Sequence, residues 1–247
     1  MSHAALMAIV FAAAAAAHAA EPLVGDRPDF TESALTVGPG SVQIEAGATL
    51  DASDAADSWT LGEVLIRHGL KPGTELRLVL PSYLSLEPAS DGKLDGAGNA
   101  GVGLKQRLTR PDAAGPRVAV LTTVTLPTGS DDVSDSVTAV DLVLAVEWDL
   151  TETIGLGMNA GAELVFDDDN STQQWLSAAL GLAATERLGF FVESFVFTEE
   201  LDRGAGYLSL GTSYLLSENL SIDARAGLGL DDRGDERFYG AGLVTRF

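Results

Sequence analysis

From Ser41 to the last residue, apolar and polar positions alternate in about twelve segments of roughly 9 to 14 residues each. The segments lie near 41–50, 59–67, 74–86, 98–108, 116–126, 137–148, 153–166, 174–184, 188–198, 206–216, 219–230 and 237–247. A period of two places one face of each strand against apolar surroundings and the other against polar ones. In 219–230, Leu220, Ile222, Ala224, Ala226, Leu228 and Leu230 oppose Ser221, Asp223, Arg225, Gly227 and Gly229. In 153–166, Ile154, Leu156, Met158, Ala160, Ala162 and Leu164 oppose Gly155, Gly157, Asn159, Gly161 and Glu163. A one-residue slip reverses both faces, so the register is well specified. Segment 188–198 is less clear, because Phe191 and Phe195 share a face with Glu193. Strands of about 9 to 11 residues cross a bilayer when tilted, whereas strands of soluble sheets run about 5 to 6. Segment length therefore favours membrane crossing.

The connections are of two kinds that take turns along the chain. His68 to Gly73, Thr109 to Gly115, Asp149 to Glu152, Thr185 to Arg187 and Ser217-Glu218 are short or carry Pro and Gly. Asp51 to Ser58, Glu87 to Ala97, Pro127 to Ser136, Asp167 to Gln173, Glu199 to Ala205 and Asp231 to Glu236 are longer and mostly acidic. In an up-and-down barrel every second connection lies on one side of the membrane, with short periplasmic turns and longer outer loops. The expected fold is thus all-β, a single antiparallel up-and-down transmembrane β-barrel of about 12 strands, spanning 41–247.

Ahead of the barrel, an Ala-rich apolar stretch ends in Ala17-His18-Ala19, the small-x-small form of a signal-peptidase site. Residues 1–19 are read as a signal peptide cleaved after Ala19, although the usual Lys or Arg is missing from its start. Residues 20–40 lack periodicity and are read as a periplasmic N-terminal arm or a partial plug. The last strand places Tyr239, Ala241, Leu243, Thr245 and Phe247 on one face. Tyr239, Leu243 and the terminal Phe247 resemble the signature read by the barrel-assembly machinery, which makes the outer membrane of a Gram-negative cell the expected location.

A net charge of −21 argues against nucleic acid as a partner. The chain has no Cys, which excludes disulfides and thiolate metal sites. The charges on the proposed inner face are Glu45, Glu63, Arg67, Glu75, Arg77, Lys105, Arg107, Arg117, Asp141, Glu147, Glu163, Asp223 and Arg225. Facing lipid, Arg or Lys near the midplane would cost about 2 to 4 kcal/mol, so these residues are expected to line the lumen. They fit a charge-lined passage or a closed interior of paired charges. Twelve strands fall between a barrel filled by side chains and one that leaves an aqueous channel.

Asp26-Arg27-Pro28-Asp29-Phe30-Thr31-Glu32-Ser33, Leu126-Pro127-Thr128-Gly129 and the terminal Phe247 resemble the outer-membrane transporter-like family named for the MetA pathway of phenol degradation. The resemblance covers about residues 24 to 247 and implies an outer-membrane barrel with a transport role. It assigns no catalytic residue. The reading that follows is a passive channel or transporter for small solutes, with hydrophobic or aromatic compounds suggested by the resemblance alone. The alternative is a non-conducting structural or adhesion barrel.

No enzyme, cofactor or metal is expected. His68, the sole His after signal removal, is placed in a periplasmic turn. The acidic runs Asp167-Asp168-Asp169 and Asp231-Asp232 are read as solvated loops, with weak divalent-cation bridging to lipopolysaccharide as a secondary idea. Trp59, Trp148, Trp175, Tyr83, Tyr207, Tyr214, Tyr239 and Phe247 are assigned to aromatic girdles at the membrane interfaces. The expected partners are outer-membrane lipid and lipopolysaccharide, the assembly machinery and a small-molecule solute.

Overall fold

The computed structural model describes residues 23–89, 92–110, 114–134, 137–166, 171–199, 204–230 and 236–247. The signal-peptide reading and the acidic runs at 167–169 and 231–232 lie outside them.

Fifteen hydrogen-bonded segments make one closed antiparallel sheet. They are β1 (Val42–Ala52), β2 (Ala56–Leu61), β3 (Leu65–Lys71), β4 (Thr74–Val79), β5 (Tyr83–Pro88), β6 (Leu94–Ala97), β7 (Ala100–Arg107) and β8 (Arg117–Leu126), followed by β9 (Thr138–Asp149), β10 (Ile154–Phe166), β11 (Thr172–Ala183), β12 (Leu188–Glu199), β13 (Ala205–Ser217), β14 (Leu220–Gly229) and β15 (Arg237–Arg246). β2 with β3, β4 with β5, and β6 with β7 each form one interrupted wall strand, so the barrel has twelve strands. β15 pairs with β1 from Gln43↔Arg246 to Ala52↔Arg237 and closes the ring.

The interruptions lie side by side. Gly62 takes a positive φ of 71°, Pro81 has no N–H to give to a ladder, and Asn99 turns its Oδ1 to accept from Thr128 and Gly129 N–H. Single backbone bonds carry the wall across the breaks: Glu63 N–H to Gly47 O, Leu80 N–H to Val64 O and Gly98 N–H to Ser82 O. Each break shifts the alternation by one residue: odd positions face outward at Trp59 and Leu61 but inward at Arg67, and inward at Glu75 and Arg77 but outward at Tyr83.

Leu142, Leu144, Leu176, Leu180, Leu208, Leu210, Ile222 and Leu228 point out of the wall and are exposed. Without lipid such a surface would be an aggregation liability; around a barrel it is the band that meets the hydrocarbon of the outer membrane. The buried apolar cluster is inside the lumen, where Ala34 packs on Ala119, Leu121, Val143 and Ala145.

Two expectations need correction. His68 is within β3 and not in a turn; its Nδ1 lies 3.1 Å from Ser41 O. The reason is that β3 continues through a register shift between Gly69 and Lys71, leaving Pro72-Gly73 as the turn. Trp175 and Tyr207 are not girdle residues. Their parity along β11 and β13 points them inward, where they join an aromatic cluster.

Candidate functional site

The lumen is crossed by residues 23–37. This segment comes in from the end of the barrel that carries the short turns, and it returns to the same end at Gly38–Ser41. There Gly40 N–H bonds Gly69 O and Gly69 N–H bonds Ser41 O. Between those points it runs around the inside of the wall, and inward-facing acids hold its backbone. Glu45 accepts from the N–H groups of Asp26 and Arg27, and Glu193 from those of Phe30 and Thr31. Glu147 accepts from Ala34, Glu75 from Val37, and Asn159 Oδ1 from Glu32. An irregular segment has no ladder partners of its own, and its buried N–H groups must be paired. Hydrogen bonds to charged groups contribute roughly 1.5–3 kcal/mol each, so this arrangement fixes the loop firmly.

Asp26 is the centre of the charge network. Its carboxylate meets Arg67 at 3.2 Å, Lys105 at 2.9 Å and Arg77. Arg67 also pairs with Glu45 and Glu75, both at 2.8 Å, and Arg77 with Glu32 at 2.8 Å. Burial pushes the Asp26 carboxyl up, but Arg67, Lys105 and Arg77 together outweigh burial and hold it well below the usual range. At Glu32 the balance is reversed: burial outweighs the neighbouring cations and pushes the carboxyl up to about 7. Asp29 is raised well above its ordinary value by burial and by the Glu193 carboxylate.

Arg27 spans the middle of the lumen, reaching Glu63 at 2.8 Å and Asp223 at 3.4 Å. Together Arg27, Pro28 and Asp29 form a partition. They line a cavity of about 590 Å³ on the short-turn side, bounded by Ala183, Arg187 and Phe191, and another of about 500 Å³ above. The upper cavity has a mixed wall: Phe30 and Trp175, the aliphatic Leu121 and Val143, and the charged Arg77, Asp141 and Arg225.

Each proposed lumen charge has a definite place. Glu45, Arg67, Glu75, Arg77 and Lys105 are buried in the Asp26 network. Glu63 and Asp223 hold Arg27. Arg117 binds Glu147 at 2.9 Å and Asp149 at the barrel end, beside Arg107, which lines a cavity at that rim. Asp141 and Glu163 sit opposite each other on β9 and β10, and neither makes an ion pair among the described residues. Arg225 donates to Thr49 Oγ1 at 3.4 Å and lies over the Phe238 ring at 5.3 Å. Tyr239, Leu243 and Phe247 face outward and are exposed.

The sequence reading passed over Glu193, Asn159 and the loop residues Asp26, Arg27 and Phe30 as contacts. One signal was available, glycine at inward-facing strand positions. A Cβ at Gly47 would collide with the Arg27 guanidinium, and one at Gly161 with the Trp175 indole. Inward glycines on neighbouring strands thus mark where bulky groups lie against the wall.

A twelve-stranded antiparallel barrel with an apolar outer band, a charged interior and a loop inserted in its lumen is an outer-membrane β-barrel. The chain belongs to the family described as "Putative MetA-pathway of phenol degradation", whose model matches residues 25–247. No curated protein matches the sequence. Among solved structures, it is similar to the COG4313 outer membrane channel from Pseudomonas putida F1, at 15% identity and a TM-score of 0.68, covering 91% of this chain and 100% of that one. The KdgM porin aligns at 11% identity and a TM-score of 0.56, over 82% of this chain and 99% of that one. The CymD monoaromatic hydrocarbon channel aligns at 10% identity and a TM-score of 0.52, over 85% of this chain and 89% of that one.

Proposed function

We propose that the protein is a passive outer-membrane channel for small solutes whose lumen is gated by the loop 23–37. The observation that carries this reading is the pair of cavities, about 500 and 590 Å³, that share Arg27, Pro28 and Asp29 as lining. A barrel built solely for rigidity gains nothing from space on both sides of a thin partition, whereas a passage needs both. Both ends of the loop attach at the short-turn, periplasmic side, so displacement of the partition requires no unfolding of the wall. The solute enters from the outer face, and lipid and lipopolysaccharide surround the band of exposed leucines. The family description and the similarity to the CymD channel support hydrophobic or aromatic solutes.

The density of ion pairs around Asp26 favours a second reading, a permanently closed structural or adhesion barrel. Conductance in planar bilayers separates the two. The wild-type protein is expected to show small, intermittent steps. A variant with residues 24–36 replaced by a short Gly-Ser bridge is expected to show larger and sustained ones. Silence from both proteins, each correctly assembled by heat-modifiable gel migration, would overturn the passage.

A further inference from the structure

The upper cavity contains one cationic side chain, Arg225, whose charge reaches Asp51 and Asp223 without an ion pair to either among the described residues. Arg27, Arg67, Arg77 and Lys105 all meet carboxylates within 3.5 Å. Arg225, which lines the same cavity, makes no ion pair among the described residues. Among the described residues its Nε is buried without a hydrogen-bond partner, and the hydrogen bond from its Nη2 to Thr49 Oγ1 is long at 3.4 Å. A buried donor left unpaired is unfavourable, so a side chain kept in this state is poised for an acceptor that arrives from elsewhere.

The surroundings of Arg225 say what carries that acceptor. Its guanidinium carbon lies 5.3 Å from the Phe238 ring centroid, a cation–π distance that holds the fork in place. Phe238 leads into a chain of rings: Phe195 at 6.1 Å, then Phe30 stacked on Phe195 at 4.7 Å, then Trp175 edge-on to Phe30 at 6.3 Å. Phe30 and Trp175 reach the cavity itself. Two aromatic side chains, Phe30 and Trp175, and a multidentate donor with an unpaired N–H, Arg225, lining one cavity suit a ring that bears oxygen. The cavity, about 500 Å³, lies within the size range of small-molecule sites.

Resting on the passage reading above, we propose that the upper cavity is a selectivity site for single-ring aromatic solutes bearing an oxygen acceptor, with Arg225 as the residue that distinguishes them from plain hydrocarbons. The ring lies along Phe30 and Trp175, and the phenol, carbonyl or carboxylate oxygen accepts from the free Nε–H and the adjoining N–H of Arg225. A plain hydrocarbon ring makes the same apolar contacts but leaves Arg225 unsatisfied. The site therefore discriminates by a donor left unpaired, which is stronger than discrimination by shape alone.

The test is binding, read from Trp175 emission in purified full-length protein with Trp59 and Trp148 changed to Phe, titrated with phenol, benzoate and toluene. Phenol and benzoate are expected to bind at least about tenfold more tightly than toluene, from the worth of a hydrogen bond to a charged group. Arg225→Met is expected to remove that preference while leaving toluene affinity unchanged. Arg225→Lys, which keeps the charge but loses the fork, is expected to retain part of it and serves if the Met variant does not assemble. Equal affinity of the three ligands for the wild-type protein overturns the proposal, as does a uniform loss for all three in either variant. Preference for phenol without any conductance would sink the passage reading and leave the site standing.

Discussion

At the scale of single residues, Asp26 does the most to hold the loop, because three cations converge on it. A buried ion pair is not by itself a large source of stability, but removing one partner leaves charges stranded, at a cost of about 3 to 5 kcal/mol. Asp26→Asn leaves Arg67, Arg77 and Lys105 facing one carboxylate fewer, while the N–H contacts to Glu45 survive. The expected result is a barrel that assembles normally but conducts for a much larger fraction of the time than wild type; unchanged gating would show that the backbone contacts alone seat the loop.

Glu32 adds a pH dependence whose sign follows from its position. Its carboxyl faces Arg77, Lys105 and Asp26, and burial outweighs the two cations, so its value in the folded protein rises from 4.5 to about 7. Between those values the folded form holds a proton that the unfolded chain has released. Its contribution to seating the loop is therefore complete below 4.5 and fades as the pH rises through about 7. The raised Asp29 acts in the same direction, and the lowered Asp26 stays charged throughout. Openings are expected to become more frequent from mildly acidic to mildly alkaline pH, and Glu32→Gln to flatten most of that rise. A full wild-type pH profile in the Glu32→Gln protein would assign the effect to Asp29.

At the scale of elements, legibility depended on periodicity. Strands β9, β10, β14 and β15 were readable from sequence because a single alternating register runs their whole length and lipid enforces it on one face. Segment 188–198 was ambiguous because its inward face also carries Phe191 and Phe195; the structure resolves it through Glu193, which is buried against the loop and takes its side of the strand with it. Strand breaks at Gly62–Val64, Leu80–Ser82 and Gly98–Asn99 each shift the alternation by one residue, as from exposed Leu61 to buried Arg67, and a segment read as one continuous strand hides that shift. The loop 23–37 was the hardest part to read. It has no period, and what orders it is a set of carboxylates distant in sequence, such as Glu193 for Thr31. Glu45, Glu75 and Glu147 were readable as inward-facing charges, since a charge on the lipid face is costly. Their role in accepting N–H groups from an inserted segment depends on tertiary contact, and inward glycines such as Gly161 gave only an indirect hint. Trp175 and Tyr207 show the limit of reading aromatics by nearness to strand ends: a shift of one residue separates a girdle from a lumen wall.

At the scale of the whole molecule, closure depends on β15 meeting β1. Phe247 takes part twice, by two separable routes. Its backbone clamps the seam, with N–H to Val42 O at 2.8 Å and its carbonyl accepting from Val42 N–H at 3.2 Å. Its side chain points outward and is about half exposed, on the same outer face as Tyr239 and Leu243. An aromatic side chain left about half exposed on the outer face of the closing strand fits a proposed role before the barrel is finished, as the feature the assembly machinery reads. Phe247→Ala keeps both backbone bonds and every lumen contact. The refolded variant in detergent is therefore expected to match wild type in thermal stability and conductance, with any change within about 0.5 kcal/mol, as for surface substitutions generally. In cells the same variant is expected to accumulate several-fold less heat-modifiable barrel in the outer-membrane fraction. Equal accumulation would dismiss the side chain as a signal. A matching loss in vitro would instead make Phe247 a structural residue of the closing strand, and the two assays run on one variant decide between these roles.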